Sequence, residues 1–154
     1  MIRVLQVVPS LNINSGMMSV VMNYYREIDR SKIQFDFLYF GEMAESHQKE
    51  IETLGGRTFY MKRPTFKPQD QRRLNAFFEN HKGEYIAVHC HPIWVSAVVA
   101  HAAKKAEYII LFNMRILPNI LKKGLALLGI VSLSNLSRFL QQIILRVMMK
   151  QHDF

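Results

Sequence analysis

The sequence predicts an α/β fold, a parallel sheet with helices on both faces. Three observations predict it. Short apolar, β-branched runs alternate with amphipathic segments of roughly 10–13 residues. The first run, Ile2-Arg3-Val4-Leu5-Gln6-Val7-Val8, is almost continuously apolar, as a strand covered on both faces requires. Gly, Pro and small polar residues fall between the segments, where turns belong.

Taken in order, Ile2–Val8 is the first strand, ended by Pro9. Asn12, Asn14, Ser15 and Gly16 form a turn. From Met17 a helix follows, with Met18, Val21, Met22 and Tyr25 at helical spacing. Ile33–Phe40 is the second strand. Asp36 within it implies an end or edge position, or a hydrogen-bonded carboxylate. Ser46–Leu54 is a second helix closed by Gly55-Gly56, a strong C-cap signal. Arg57–Met61 is a third strand, and Pro64 and Pro68 bracket a loop. Gln69–His81 is a third helix with Leu74, Phe77 and Phe78 on one face. Tyr85–His89 is a fourth strand, Trp94–Lys105 a fourth helix, and Tyr108–Leu111 suits a fifth strand. Right-handed crossovers complete a Rossmann-like sheet.

Composition bounds the function. A chain of 154 residues, 49% hydrophobic and 21% charged, holds one domain with a sizeable core. Cys90 is the single cysteine, so no internal disulfide forms, which fits a reducing, cytoplasmic compartment. No signal-peptide pattern is read, and no apolar run reaches the length of about 18 residues that a spanning helix needs. The net charge of +8 is uneven. Residues 1–107 carry 14 Lys/Arg against 11 Asp/Glu, and residues 108–154 carry six against one. The basic character therefore belongs mainly to the tail, where it is either a bias without function or a surface for phosphates, nucleic acid or anionic lipid.

Two stretches are candidates for chemistry. Asn14, Ser15 and Gly16 lie where a strand meets a helix N-terminus, the place where anions bind in open α/β folds. The turn has neither the G-x-G-x-x-G pattern nor a P-loop lysine, so an ordinary βα turn stands beside the ligand-binding reading. His89-Cys90-His91 ends the fourth strand, and alternation sends both histidines to one face. No further His, Cys or Asp clusters with them, so residues lining the crevice are expected rather than metal ligands. His91, at the strand end, is the better site candidate, and His89 reads as a satisfied core residue. Lys62-Arg63 and Arg72-Arg73 read as solvated surface. The Tyr24-Tyr25 pair and Met17, Met18 and Met22 read as helix packing.

From Met1 to about Leu111 the chain resembles the N-terminal lobe of GT-B glycosyltransferases of family 4, of the bacterial capsule and exopolysaccharide type. The resemblance is carried by IRVLQVVPSLNINSGMMSVVMNYYREIDRSKIQFDFLYF, KEIETLGGRTFYM and YIAVHCHPIWVSAVVAHAAKKA. It implies two Rossmann-like lobes, the first mainly receiving a saccharide or lipid-linked acceptor and the second holding a nucleotide-sugar donor as substrate. No metal or other cofactor is implied. In the family the turn after the first strand faces the donor's phosphates and sugar, and it maps here onto Ser15-Gly16. Ser15 and Met18 stand where the family commonly has a first Gly and a Glu. His91 matches the second His of a His-x-His strand end, near the acceptor.

On this reading residues 1–112 are an incomplete acceptor-side lobe and 113–154 an aberrant basic tail, helical or disordered. The family's Tyr-Ser-x-Lys stretch and the paired glutamates of its donor lobe are absent. A change of reading frame between about Leu111 and Met114 is expected, because back-translation one base earlier permits a Tyr-Ser-Glu-Lys segment. The fragment is then inactive alone, with peripheral contact at the inner face of a membrane open to it and nucleic acid not a partner. The competing class is a stand-alone α/β binding module whose tail docks on anionic membrane or nucleic acid. A third is a small phosphate-binding protein of flavodoxin-like type.

Overall fold

The apolar run at the start of the chain becomes the central strand because it can be covered on both faces. A computed structural model describes residues 1–41 and 44–112, and the expectations for the tail lie outside the described residues. The elements are β1 (Ile2–Ser10), α1 (Gly16–Glu27), β2 (Ile33–Gly41), α2 (Gln48–Thr53), β3 (Thr58–Tyr60), α3 (Pro68–Asn80), β4 (Ala87–Cys90), α4 (Ile93–Lys105) and β5 (Ile109–Phe112). The sheet order is β3-β2-β1-β4-β5, a Rossmann-like arrangement. Parallel pairing sets Ile2 beside Ile33 and Val8 beside Tyr39 on one side of β1, and Val4 beside Ala87 and Val7 beside Cys90 on the other. Val4 through Val8 are all buried.

Right-handed crossovers put α1 and α2 on one face, and α3 and α4 on the other. Arg26 of α1 accordingly reaches Glu50 of α2, with Nε 2.6 Å from Oε1. Tyr25, Phe35 and Phe37 pack under α1, Tyr25 lying 5.4 Å from the Phe35 ring and 5.6 Å from Phe37 between centroids. Such pairs add about 0.5–1.5 kcal/mol each beyond the area they bury. Among the described residues no helix is long and apolar enough to cross a membrane.

Several boundaries differ from expectation, for identifiable reasons. β1 runs through Pro9 to Ser10 instead of stopping at Val8. Odd-numbered residues of β1 turn their backbone toward β4, as Val7 does in accepting from His91 N. β4 ends at Cys90, opposite Val7, so the N–H that Pro9 lacks removes no bond within the β1–β4 ladder. β4 begins at Ala87, not Tyr85, where its pairing with Val4 of β1 starts. The Gly55-Gly56 signal gives a Schellman end to α2. Gly56 N–H donates to Ile51 O at 2.9 Å and Gly55 N–H to Glu52 O at 3.0 Å, with Gly55 at φ +88°. A Cβ on Gly56 would lie 2.6 Å from both Phe35 O and Tyr25 Oη and 2.8 Å from Ile51 Cγ2.

Asp36 resolves in favour of the hydrogen-bonded carboxylate. It is neither at a strand end nor on an edge strand, being paired with Leu5 in the interior of the sheet and fully buried. Arg3 donates to it twice, at 2.9 and 2.5 Å, and Arg57 donates through its backbone N–H at 2.8 Å and its guanidinium at 2.8 and 3.0 Å. Burial by itself would raise the Asp36 pKa, but the two arginines more than offset it and hold the carboxyl below its ordinary range.

Asp36→Asn keeps the shape and removes the charge. It is expected to cost on the order of 3 kcal/mol, the low end for breaking a buried pair because both guanidiniums reach solvent. Since the folded pKa is depressed, the wild-type contribution is present above about pH 4 and lost as pH falls below it. Urea denaturation between pH 7 and 3 checks both. The variant should show a lower midpoint at pH 7 and a weaker acid dependence below pH 4.

Candidate functional site

The order β3-β2-β1-β4-β5 reverses direction between β1 and β4, and the helices that follow these two strands leave toward opposite faces. A crevice therefore opens at the carboxyl ends of β1 and β4, where open α/β sheets bind ligands. The turn after β1 and the residues after β4 form its two rims.

The first rim is braced. Leu11 is buried and its carbonyl accepts from His47 N–H at 2.8 Å, while Asn12 bridges to Ser46. Asn12 Oδ1 accepts from Asn14 N–H at 2.8 Å, and Asn12 O accepts from Ser15 N–H at 3.2 Å. Ser15 is the N-cap of α1, its hydroxyl accepting from Met18 N–H at 3.4 Å. Asn14 is exposed. The space where a Cβ on Gly16 would stand is open to 4 Å, and the backbone there does not require glycine. Met18 is fully buried and packs into the core instead of facing the crevice.

The second rim carries the histidines. His89 lies within β4 opposite Gln6, and His91 follows the strand end. Their rings meet, with centroids 4.1 Å apart. His91 Nε2 is 2.8 Å from Gln6 Oε1. Donation to that amide oxygen makes His91 the Nε2–H tautomer and leaves Nδ1 as a lone-pair acceptor. Nδ1 is buried without a hydrogen-bond partner among the described residues. Burial pushes the His91 pKa down to about 4, and burial together with His91 pushes His89 down to about 3, so both rings are neutral at ordinary pH. Cys90 faces away. Its thiol is buried, pushed up to about 12, and lies 3.5 Å from Ser96 Oγ, which makes it unreactive. Among the described residues no group of three His, Cys, Asp or Glu side chains is placed to hold a metal.

Two parts of this edge were not found as site residues in the sequence. Gln6 looks there like an interruption of an apolar run, yet it is only 3% exposed and holds a histidine 85 positions away. The available signal was a buried-strand position given to an amide. The other part is basic. Lys62, Arg63, Lys67 and Arg73 converge on one cleft at the end of β3, although their charge pairs read as separate patches of solvated surface.

A parallel sheet with a crevice at its strand-order reversal defines the class, a Rossmann-like α/β domain. Within that class, the chain is 38% identical over 109 residues to a Bacillus subtilis (strain 168) protein described as "Putative glycosyltransferase EpsF". The match covers 68% of this chain and 27% of that one, so the chain spans about a quarter of its relative's length. The matched part is thus glycosyltransferase-like in sequence. No protein-family model and no solved structure matches the chain.

The depressed histidine pKa values set a pH window. A folded pKa below the unfolded value of about 6.5 means that the unfolded chain takes up protons first, so stability falls as pH drops below about 6.5. His91 ring signals followed by NMR should not titrate between pH 8 and 5. The urea midpoint should decline from pH 7 to 5, and His91→Gln should reduce that decline.

Proposed function

We propose that residues 1–112 are the acceptor-side lobe of a GT-B glycosyltransferase of family 4, of the capsule or exopolysaccharide type. The complete enzyme moves a sugar from a nucleotide donor to a saccharide or lipid-linked acceptor. One observation carries the reading: a turn with free space at Gly16 and a neutral histidine held by Gln6 lie at the ends of adjacent strands, in a chain similar to a glycosyltransferase.

In this role Asn14, Ser15 and Gly16 face the donor's phosphates. Ser15, already spent on the helix cap, contributes backbone rather than hydroxyl, and Gly16 leaves room for close approach. His91 lines the acceptor side of the crevice with a neutral ring, and Gln6 holds that ring in place. Developing charge on the leaving diphosphate is met by backbone N–H groups of the turn, the donor lobe completing the other wall. Without that wall the chain does not turn over.

The test is a chimera in which the matched segment of this chain replaces the corresponding segment of the Bacillus subtilis relative. With labelled nucleotide sugars and membrane-derived acceptor, the chimera should transfer sugar and the present chain alone should not. Gly16→Val should lower the chimera's transfer at least about tenfold, as should His91→Ala, each removing one positioned contact. Transfer by the present chain alone overturns the single-lobe reading.

A further inference from the structure

A second place on the carboxyl edge is built without being used by the crevice. The loop after β3 and the start of α3 line an open cleft of about 460 Å³. Lys62, Arg63, Lys67 and Arg73 line it, against one carboxylate, Asp70. That carboxylate is occupied. Its Oδ2 accepts from Thr65 N–H at 2.9 Å and from Thr65 Oγ1 at 2.5 Å, and Oδ1 pairs with Arg73. Asp70 thus holds the loop and neutralises Arg73. No ion pair is formed by Lys62, Arg63 or Lys67 among the described residues, and all three are exposed.

The loop backbone that carries these charges is held in shape. Thr65 Oγ1 accepts from Lys67 N–H at 3.2 Å, and Thr65 O accepts from Gln71 Nε2 at 3.2 Å. Arg63 lies over the Trp94 ring, 4.0 Å from its centroid, which ties the loop to the first turn of α4. Lys67 is the N-cap residue of α3, the end of a helix where a cation is disfavoured. Like charges held together, one of them at the wrong end of a helix dipole, oppose folding unless an anion completes the cluster.

We propose that this cleft binds a phosphate or diphosphate group. A multiply charged tetrahedral anion presents enough oxygens to meet two ammonium groups and a guanidinium fork at once, and a single carboxylate does not. The cleft exceeds the size of the anion, so the group arrives attached to a larger molecule. Trp94 and Phe66, 45% and 65% exposed, offer apolar surface to that remainder. The source is either a soluble phosphorylated compound or a lipid headgroup, and the chemistry recognised is the same.

Trp94 is the only tryptophan of the chain and reports on the cleft through Arg63, which lies over its ring. The full chain is titrated at fixed ionic strength with pyrophosphate, and separately with vesicles of phosphatidylglycerol in phosphatidylcholine, following Trp94 fluorescence. Lys62→Ala/Lys67→Ala is the comparison; both positions are exposed, and far-UV circular dichroism verifies that the variant folds. A saturable response to pyrophosphate whose midpoint rises at least about tenfold in the double variant assigns the soluble source. The same dependence seen with vesicles only assigns the headgroup. No saturable response to either, or one unchanged by the double substitution, overturns the proposal. None of these arms involves sugar transfer, so the result is independent of the glycosyltransferase reading.

Discussion

A buried carboxylate governs the amino edge of this sheet. Asp36 sits in an interior strand where desolvation alone would expel its charge, and it stays ionised because Arg3 and Arg57 reach it from either side. The consequences spread outward. Arg3 fixes β1 against β2. Arg57, immediately before β3, fixes the approach of that strand, and continues to Glu84 at 2.5 Å and Tyr85 at 3.2 Å, just ahead of β4. One network therefore ties together β1, β2 and the approaches to β3 and β4. Below it, Phe59, Phe77, His81 and Tyr85 form an aromatic layer that joins α3 to the same edge.

The two edges of the sheet have divided labour. The amino edge pairs its charges and is closed by them. The carboxyl edge keeps Lys62, Arg63 and Lys67 without ion pairs among the described residues, the one carboxylate of their cleft, Asp70, being taken by Thr65 and Arg73. Unpaired groups of this kind cost stability, and folds tolerate them where a ligand completes them. The Asp36 network supplies rigidity at the far end of the same strands.

Much of the scaffold was legible because it depends on local patterns. The apolar run of β1, the helical spacing of Met18, Val21, Met22 and Tyr25, and Gly55-Gly56 each encode their structure within a few residues. Pro9 misled because its missing donor matters only if a neighbour continues past it, and β4 does not. The partnership of Gln6 with His91 was illegible since it exists only once β1 and β4 lie side by side. The basic cleft was hidden differently. Its charges are close in sequence, but their convergence depends on where α3 begins and on Arg63 finding Trp94.

Two glycines end up carrying different kinds of information. At position 56 the neighbours of a side chain would include a carbonyl of the central sheet, which cannot retreat, so glycine there answers to packing alone. At position 16 nothing among the described residues excludes a side chain. In a set of homologues, persistence of glycine at 56 would therefore mark common architecture and say nothing about chemistry. Persistence at 16 would be a record of selection by something outside the polypeptide, legible before that molecule is identified.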